Sequence, residues 1–97
     1  MNDLEGIIKK TDYISTILKN LSNKDKLAIL CYLSTEEKNV SEIIKFSNLS
    51  QSQVSQYLNK MKLEGILESK KNGKEVYYKI SNPKILQLIS SLKLIFW

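Results

Sequence analysis

Leu49-Ser-Gln-Ser-Gln-Val-Ser-Gln-Tyr-Leu-Asn-Lys-Met-Lys-Leu-Glu-Gly65 has a marked start, a marked stop and two unlike faces. Ser50 suits a helix N-cap, because its hydroxyl can accept from an unpaired N–H of the first turn. Gln53, three residues on, is placed to complete a capping box, and Leu49 and Val54 hold staple positions around it. Gly65 is suited to end the helix in the left-handed conformation. Val54, Tyr57, Leu58 and Met61 recur at helical spacing and form one apolar stripe. The other side carries Ser52, Ser55, Gln56 and Asn59, with Lys60 and Lys62 nearby. Small and amide side chains of this kind can enter a DNA groove and bond to base edges.

Upstream, Val40, Ile43, Ile44 and Phe46 mark a short amphipathic helix, with Asn39 and Glu42 at capping positions. Ser47-Asn48 is a tight turn between the two, so the pair reads as a helix-turn-helix. Downstream, the period changes from helical to alternating. Ile66 to Lys71 and Lys74 to Ile80 flank Asn72-Gly73, which predicts a hairpin with a type I′ turn. Val76, Tyr78 and Ile80 should face one way, and Tyr77 and Lys79 the other. Lys70, Lys71 and Lys74 fall at the tip. A two-stranded ribbon is not stable alone, so it should lie against the helices as a wing.

At the ends, Leu4, Ile7, Ile8, Ile14, Ile17, Leu18 and Leu21 give a first helix over residues 4–21. Ser22 or Asn23 recaps the chain for a second, from about Lys24 to Leu33. Thr35 to Asn39 reads as a polar connection. Asn82 and Pro83 start a last helix over residues 83–97. The expected fold is mainly α with a β-hairpin wing (α+β), a single winged helix-turn-helix domain over residues 1–97. Four helices precede the hairpin and one follows it. Both terminal helices carry more apolar surface than so small a core covers. Ile7, Ile14, Leu18, Leu88, Ile89, Leu92, Ile95 and Phe96 are therefore assigned to a homodimer interface. The alternative is that both helices close a monomeric core.

The net charge of +5 is unevenly spread. Residues 1–50 hold seven lysines and seven acids, whereas residues 51–97 hold eight lysines and three acids. The excess thus begins with the candidate reading helix, and a localised basic surface attracts a polyanion. All 15 basic residues are lysine, and no histidine is present. The arginine fork that reads guanine bidentately is therefore missing. One cysteine cannot form an intrachain disulfide, which fits a reducing cytoplasm. No apolar run has the length of a membrane span, and the start, Met1 to Gly6, lacks the pattern of a secretory leader. No Cys–His, Ser–His or phosphate-loop constellation appears, so an enzyme is not expected. Among binding modules, the rival to a DNA-binding regulator is a winged-helix protein-interaction module.

Leu21 to Leu30, Val40-Ser-Glu-Ile43, Leu49 to Leu58, Glu64-Gly-Ile-Leu67 and Val76-Tyr-Tyr-Lys-Ile80 together resemble the ArsR/SmtB family of winged-helix transcription factors. The resemblance implies a bacterial or archaeal homodimer that binds a palindromic operator and represses until a signal releases it. It also implies terminal helices that dimerise. Many members bind metal through a cysteine pair at the start of the third helix. Here that stretch is Lys38-Asn-Val-Ser-Glu42, and the histidines used by other members are missing. No metal and no cofactor are expected. A thiol-responsive branch, HlyU- and BigR-like, uses one cysteine on the second helix and another near the end of the last. Cys31 matches the first position; Phe96 and Trp97 stand near the second. Cys31 is thus a candidate thiol sensor, the alternative being a small core hydrophobe.

Base reading is assigned to Gln51, Ser52, Gln53, Ser55 and Gln56, near the helix N-terminus where such contacts fall. Gln56 and Ser52 lead, since Gln53 has a cap to serve. Asn59, Lys60, Lys62, Lys70, Lys71, Lys74 and Tyr77 are assigned to DNA phosphates. Glutamine pairs bidentately with adenine, so an A/T-rich operator is expected. The expected partners are double-stranded DNA and a second copy, with no membrane, and the expected location is the cytoplasm, on the nucleoid.

Overall fold

A computed structural model describes residues 3–97; Met1 and Asn2, the first part of the start examined for a leader, lie outside it. The elements run α1 Leu4–Leu21, α2 Lys24–Leu33, β1 Lys38–Asn39, α3 Val40–Ser47, α4 Gln51–Leu63, β2 Leu67–Asn72, β3 Glu75–Ile80 and α5 Pro83–Phe96. Short polar caps set these bounds. Asp3 caps α1, Asn23 caps α2, Ser50 caps α4, and Asn82 caps α5 ahead of Pro83. Asn39 and Glu42 form a reciprocal capping box at α3, so two otherwise unpaired N–H groups are satisfied at once.

The three strands form one antiparallel sheet in the order β1-β3-β2. Two features depart from the sequence reading. Asn72 pairs with Glu75, so the two-residue loop is Gly73-Lys74 and not Asn72-Gly73. Positive φ falls on Gly73 alone, at 68°. A turn with positive φ only at its first central residue follows the II′ pattern, which needs one glycine and leaves Asn72 free to stay in the ladder. The polar connection also contains a strand. Lys38 pairs with Tyr78 and Asn39 with Tyr77, which turns the hairpin into a three-stranded sheet.

The core is formed by one face of each helix and the root of the sheet. Ile29, Leu30, Ile43, Val54, Leu58, Met61, Ile66, Ile85 and Ile89 are essentially without solvent exposure. Complete burial of a side chain of this size stabilises by about 1.5–3 kcal/mol. Ile89 corrects the interface assignment. It points inward from α5 and is 0% exposed within the protomer, so it has no surface to offer a partner.

Candidate nucleic-acid interface

The turn between α3 and α4 is built from polar side chains bonding locally. Asn48 takes the left-handed conformation at φ 58°, and its N–H donates to Ile44 O. Asparagine tolerates this region better than most residues. The Leu49 N–H donates to Ser47 Oγ at 3.3 Å, and the Gln53 N–H donates to Ser50 Oγ at 3.1 Å. The chain thus reverses in few residues and launches α4 at a set angle.

Helix α4 buries Val54, Leu58 and Met61 and exposes Gln51, Ser52, Ser55, Gln56, Asn59 and Lys60. Ser52, Ser55, Gln56 and Asn59 are spaced at three, four and seven residues, which places them on one side. Ser55, Gln56 and Asn59 line an open hollow with Val40 and Tyr78, so this side opens toward the root of the sheet. Gln53 behaves differently. Only the Ser50 half of its expected capping box forms, and its Nε2 donates forward to Tyr57 Oη at 3.3 Å. The Lys26 ammonium lies 5.3 Å from the centre of the Tyr57 ring on its other connection, the one to α2. Gln53 is therefore half-buried and engaged, in contrast to Gln56.

The wing lysines Lys70, Lys71 and Lys74 are exposed on and beside the hairpin turn. Lys62 is exposed too, but its Nζ donates to Ser69 Oγ at 2.7 Å, which joins α4 to β2. Tyr77 lies away from the tip. It sits opposite Asn39 and Lys70 in the ladder and lines a small hollow with Glu37, Glu68 and Lys79. Lys70, one of the lysines grouped with Tyr77, lines the same hollow, so the phenol stands between two carboxylates and two ammonium groups. The exposed Lys79–Glu68 pair, at 3.6 Å, belongs to the same hollow. On β1, the hydrogen bond to Glu36 raises the pKa of the Lys38 ammonium, which also sits 4.7 Å from the centre of the Tyr32 ring.

Three residues that hold the exit of α4 were not singled out from the sequence as site residues. Asn20 Nδ2 donates to Glu64 Oε1 at 3.1 Å, from α1 to the C-cap of α4. Ser81 Oγ donates to Gly65 O at 2.7 Å. Asn20 had a readable signal: an amide at helical spacing from Ile17 on an otherwise apolar inward face.

Cys31 is half-buried in α2, in a groove it shares with Lys24, Leu27, Tyr32, Phe46, Lys93 and Trp97. Burial raises its thiol pKa above the ordinary value, and the Lys93 ammonium pulls it only part of the way back. Lys93 is itself engaged, donating to Ser34 Oγ at 3.0 Å. Tyr32 and Phe46 stack across the groove with ring centres 4.1 Å apart. Trp97 lies where the second thiol of the resembled branch would be sought. Among the described residues, no three His, Cys, Asp or Glu side chains are grouped to hold a metal ion.

Of the residues assigned to an interface, Ile7, Ile14 and Leu18 on α1 and Leu88, Ile95 and Phe96 on α5 are exposed, and Leu92 is half-exposed. Ile14 and Leu88 line an apolar hollow between the two helices, with Ile17 and Ile85 at its floor. No helix of the described residues is long and apolar enough to cross a membrane.

Comparison with known proteins agrees with this architecture. Residues 23–69 match the family described as bacterial regulatory protein, arsR family. The chain is 30% identical over 92 residues to a biofilm growth-associated repressor of Xylella fastidiosa, covering 95% of this chain and 81% of that one. It is 36% identical over 89 residues to the transcriptional repressor PagR of Bacillus anthracis, covering 86% and 89%. The structure of reduced HlyU from Vibrio cholerae superposes with a TM-score of 0.88 at 28% identity, covering 95% and 97%. The family match spans the second helix, the helix-turn-helix and the first half of β2, and so includes the whole of α4. The chain therefore belongs to the ArsR family of bacterial regulatory proteins, and it is a winged-helix, DNA-binding transcriptional regulator.

Proposed function

We propose that the protein is a homodimeric repressor that binds an A/T-rich palindromic operator. The observation that carries this reading is the division of α4: Val54, Leu58 and Met61 are sealed in the core while Ser52, Ser55, Gln56 and Asn59 are left free on one side. Laid in a major groove, that side offers amides to adenine edges and hydroxyls to either strand. Gln56 and Ser52 read bases, with Gln51 and Ser55 beside them. Lys60, Lys62, Lys70, Lys71 and Lys74 neutralise phosphates on either flank. Without an arginine to fork onto guanine, the readout leans toward adenine and thymine.

The exposed apolar faces of α1 and α5 support a two-fold pairing, with domain and dimerisation surface contained in the same 97 residues. Two copies then present two α4 helices to successive major grooves. Selection of bound fragments from random duplexes tests the whole reading. Two inverted A/T-rich half-sites about one helical turn apart, or a multiple of it, are expected. A single unrepeated half-site would contradict the dimer. Sedimentation of the free protein as a monomer at micromolar concentration would do the same.

A further inference from the structure

A closed ring of polar contacts runs through the molecule without touching the exposed side of α4. On α1, Asn20 Nδ2 donates to Glu64 Oε1 at 3.1 Å and to Thr16 O at 2.8 Å. Glu64 is the C-cap of α4, and Gly65 follows it with φ 78°. The Gly65 carbonyl accepts from Ser81 Oγ, and the Ser81 N–H donates to Ile66 O at 3.0 Å. The next residue, Asn82, caps α5, and its Nδ2 donates to Tyr13 Oη at 2.8 Å, back on α1. The end of α4 is thus bonded to both helices whose outer faces are apolar.

Asn20 is the costly member of this ring. It is 3% exposed, and its Oδ1 is buried with no hydrogen-bond partner among the described residues. A buried acceptor left unpaired is destabilising, and a leucine of similar size would avoid that cost. What leucine cannot supply is a directional bond to the α4 cap. The Thr16 carbonyl oxygen and a Glu64 carboxylate oxygen both accept from the same nitrogen, so the amide's orientation is set by chemistry on both sides.

We propose that Asn20 is a positioning residue for DNA recognition, its bond to Glu64 setting the pitch of α4 relative to α1. The proposal rests on the reading above, in which paired α1 helices fix where each α4 meets its groove. A reading helix must be held to a fraction of an ångström for bidentate contacts to form, whereas phosphate contacts tolerate looser placement. Loss of the bond therefore weakens specific binding and leaves non-specific binding in place.

The test compares Asn20→Leu, Glu64→Ala and Glu64→Gln with the unaltered protein. Each is titrated against the selected operator and against a random duplex of equal length. The two Glu64 variants change charge identically, but only glutamine keeps an acceptor for Asn20. For Asn20→Leu and Glu64→Ala, operator affinity should fall about ten- to a hundredfold, the effect of one hydrogen bond to a charged acceptor. Random-duplex affinity, salt slope and dimer fraction should stay unchanged, and Glu64→Gln, which keeps a neutral acceptor, should retain most of the operator affinity that Glu64→Ala loses. Equal operator affinity in Asn20→Leu or Glu64→Ala overturns the proposal, as does a parallel fall on both duplexes. Should Asn20→Leu not fold, the Glu64 pair decides. If the unaltered protein selects no duplex at all, the functional reading itself fails, an outcome separate from the failure of its variants.

Discussion

The Lys62 ammonium donates to the Ser69 hydroxyl at 2.7 Å, so the last turn of α4 and the second strand of the sheet share a bond. A cation in this place has two duties. It ties the wing to α4, and in the proposed phosphate role it keeps further protons free, since an ammonium carries three donors.

Lys62→Ala should therefore differ from Lys71→Ala. Each loses one phosphate contact, and the slope of log affinity against log salt should flatten by about 0.9 per contact. Only Lys62→Ala should also speed amide exchange in β2, where its tether ends. Equal exchange in the two variants would show that the bond does not hold the wing.

Gln56 and Gln53 are neighbours on α4 with opposite commitments. Gln56 is exposed and untied, and Gln56→Ala should cost about 1–3 kcal/mol on the operator and relax preference at one base position. Gln53 is engaged with Tyr57, so Gln53→Ala should leave base preference intact and lower stability by about 0.5–1.5 kcal/mol, the net value of one hydrogen bond. Selection profiles and denaturant midpoints on the same samples separate the two effects.

On the terminal helices, Leu18→Lys and Ile89→Ala should fail in different ways. Leu18 is exposed, so a charge there should break the pair and leave a folded monomer seen by sedimentation. Ile89 is enclosed, so truncation should open a cavity and cost about 2–5 kcal/mol of stability. Both are compared at fixed protein concentration, because association contributes to apparent stability.

For Cys31, burial disfavours the thiolate, so at neutral pH the group should be protonated to a greater extent than a free cysteine. Alkylation by iodoacetamide should be slow near pH 7 and accelerate as pH rises through the elevated value. Lys93→Ala removes the counteracting charge and should shift that profile further upward. A rate at pH 7 equal to that of a cysteine peptide would contradict this account.

The parts of the fold that were legible from sequence are those coded by local chemistry. The Asn39–Glu42 box, the Ser50 cap, Gly65 and Asn82-Pro83 each act within a few residues, and each lies where the pattern places it. The parts that escaped depend on distant partners. A two-residue strand such as Lys38–Asn39 has no periodicity of its own and exists because β3 leaves an edge beside it. The turn slipped by one residue because this register sets Leu67 opposite Ile80, both buried at the root of the sheet, a match that the loop dipeptide alone does not encode. Ile89 shares its helix with exposed Leu88 and Ile95, and spacing alone does not say which stripe meets the protomer's own core. Within the candidate site, the exposed side of α4 was readable, whereas the Asn20–Glu64 contact spans 44 residues and no local rule reaches that far.

Asn39 belongs to two elements at once, as the last residue of β1, opposite Tyr77, and as the cap of α3. A wing that swung away on its own would have to strip β1 from β3 or carry β1 along and pull Asn39 off that cap. Groove-reading and strand-gripping parts of one protomer are thus welded into a single block. Letting go of an operator is then cheapest as a rotation of one whole block against its twin. A distance probe between the two wing tips should register that motion, while a probe from wing tip to α3 within one protomer should stay constant.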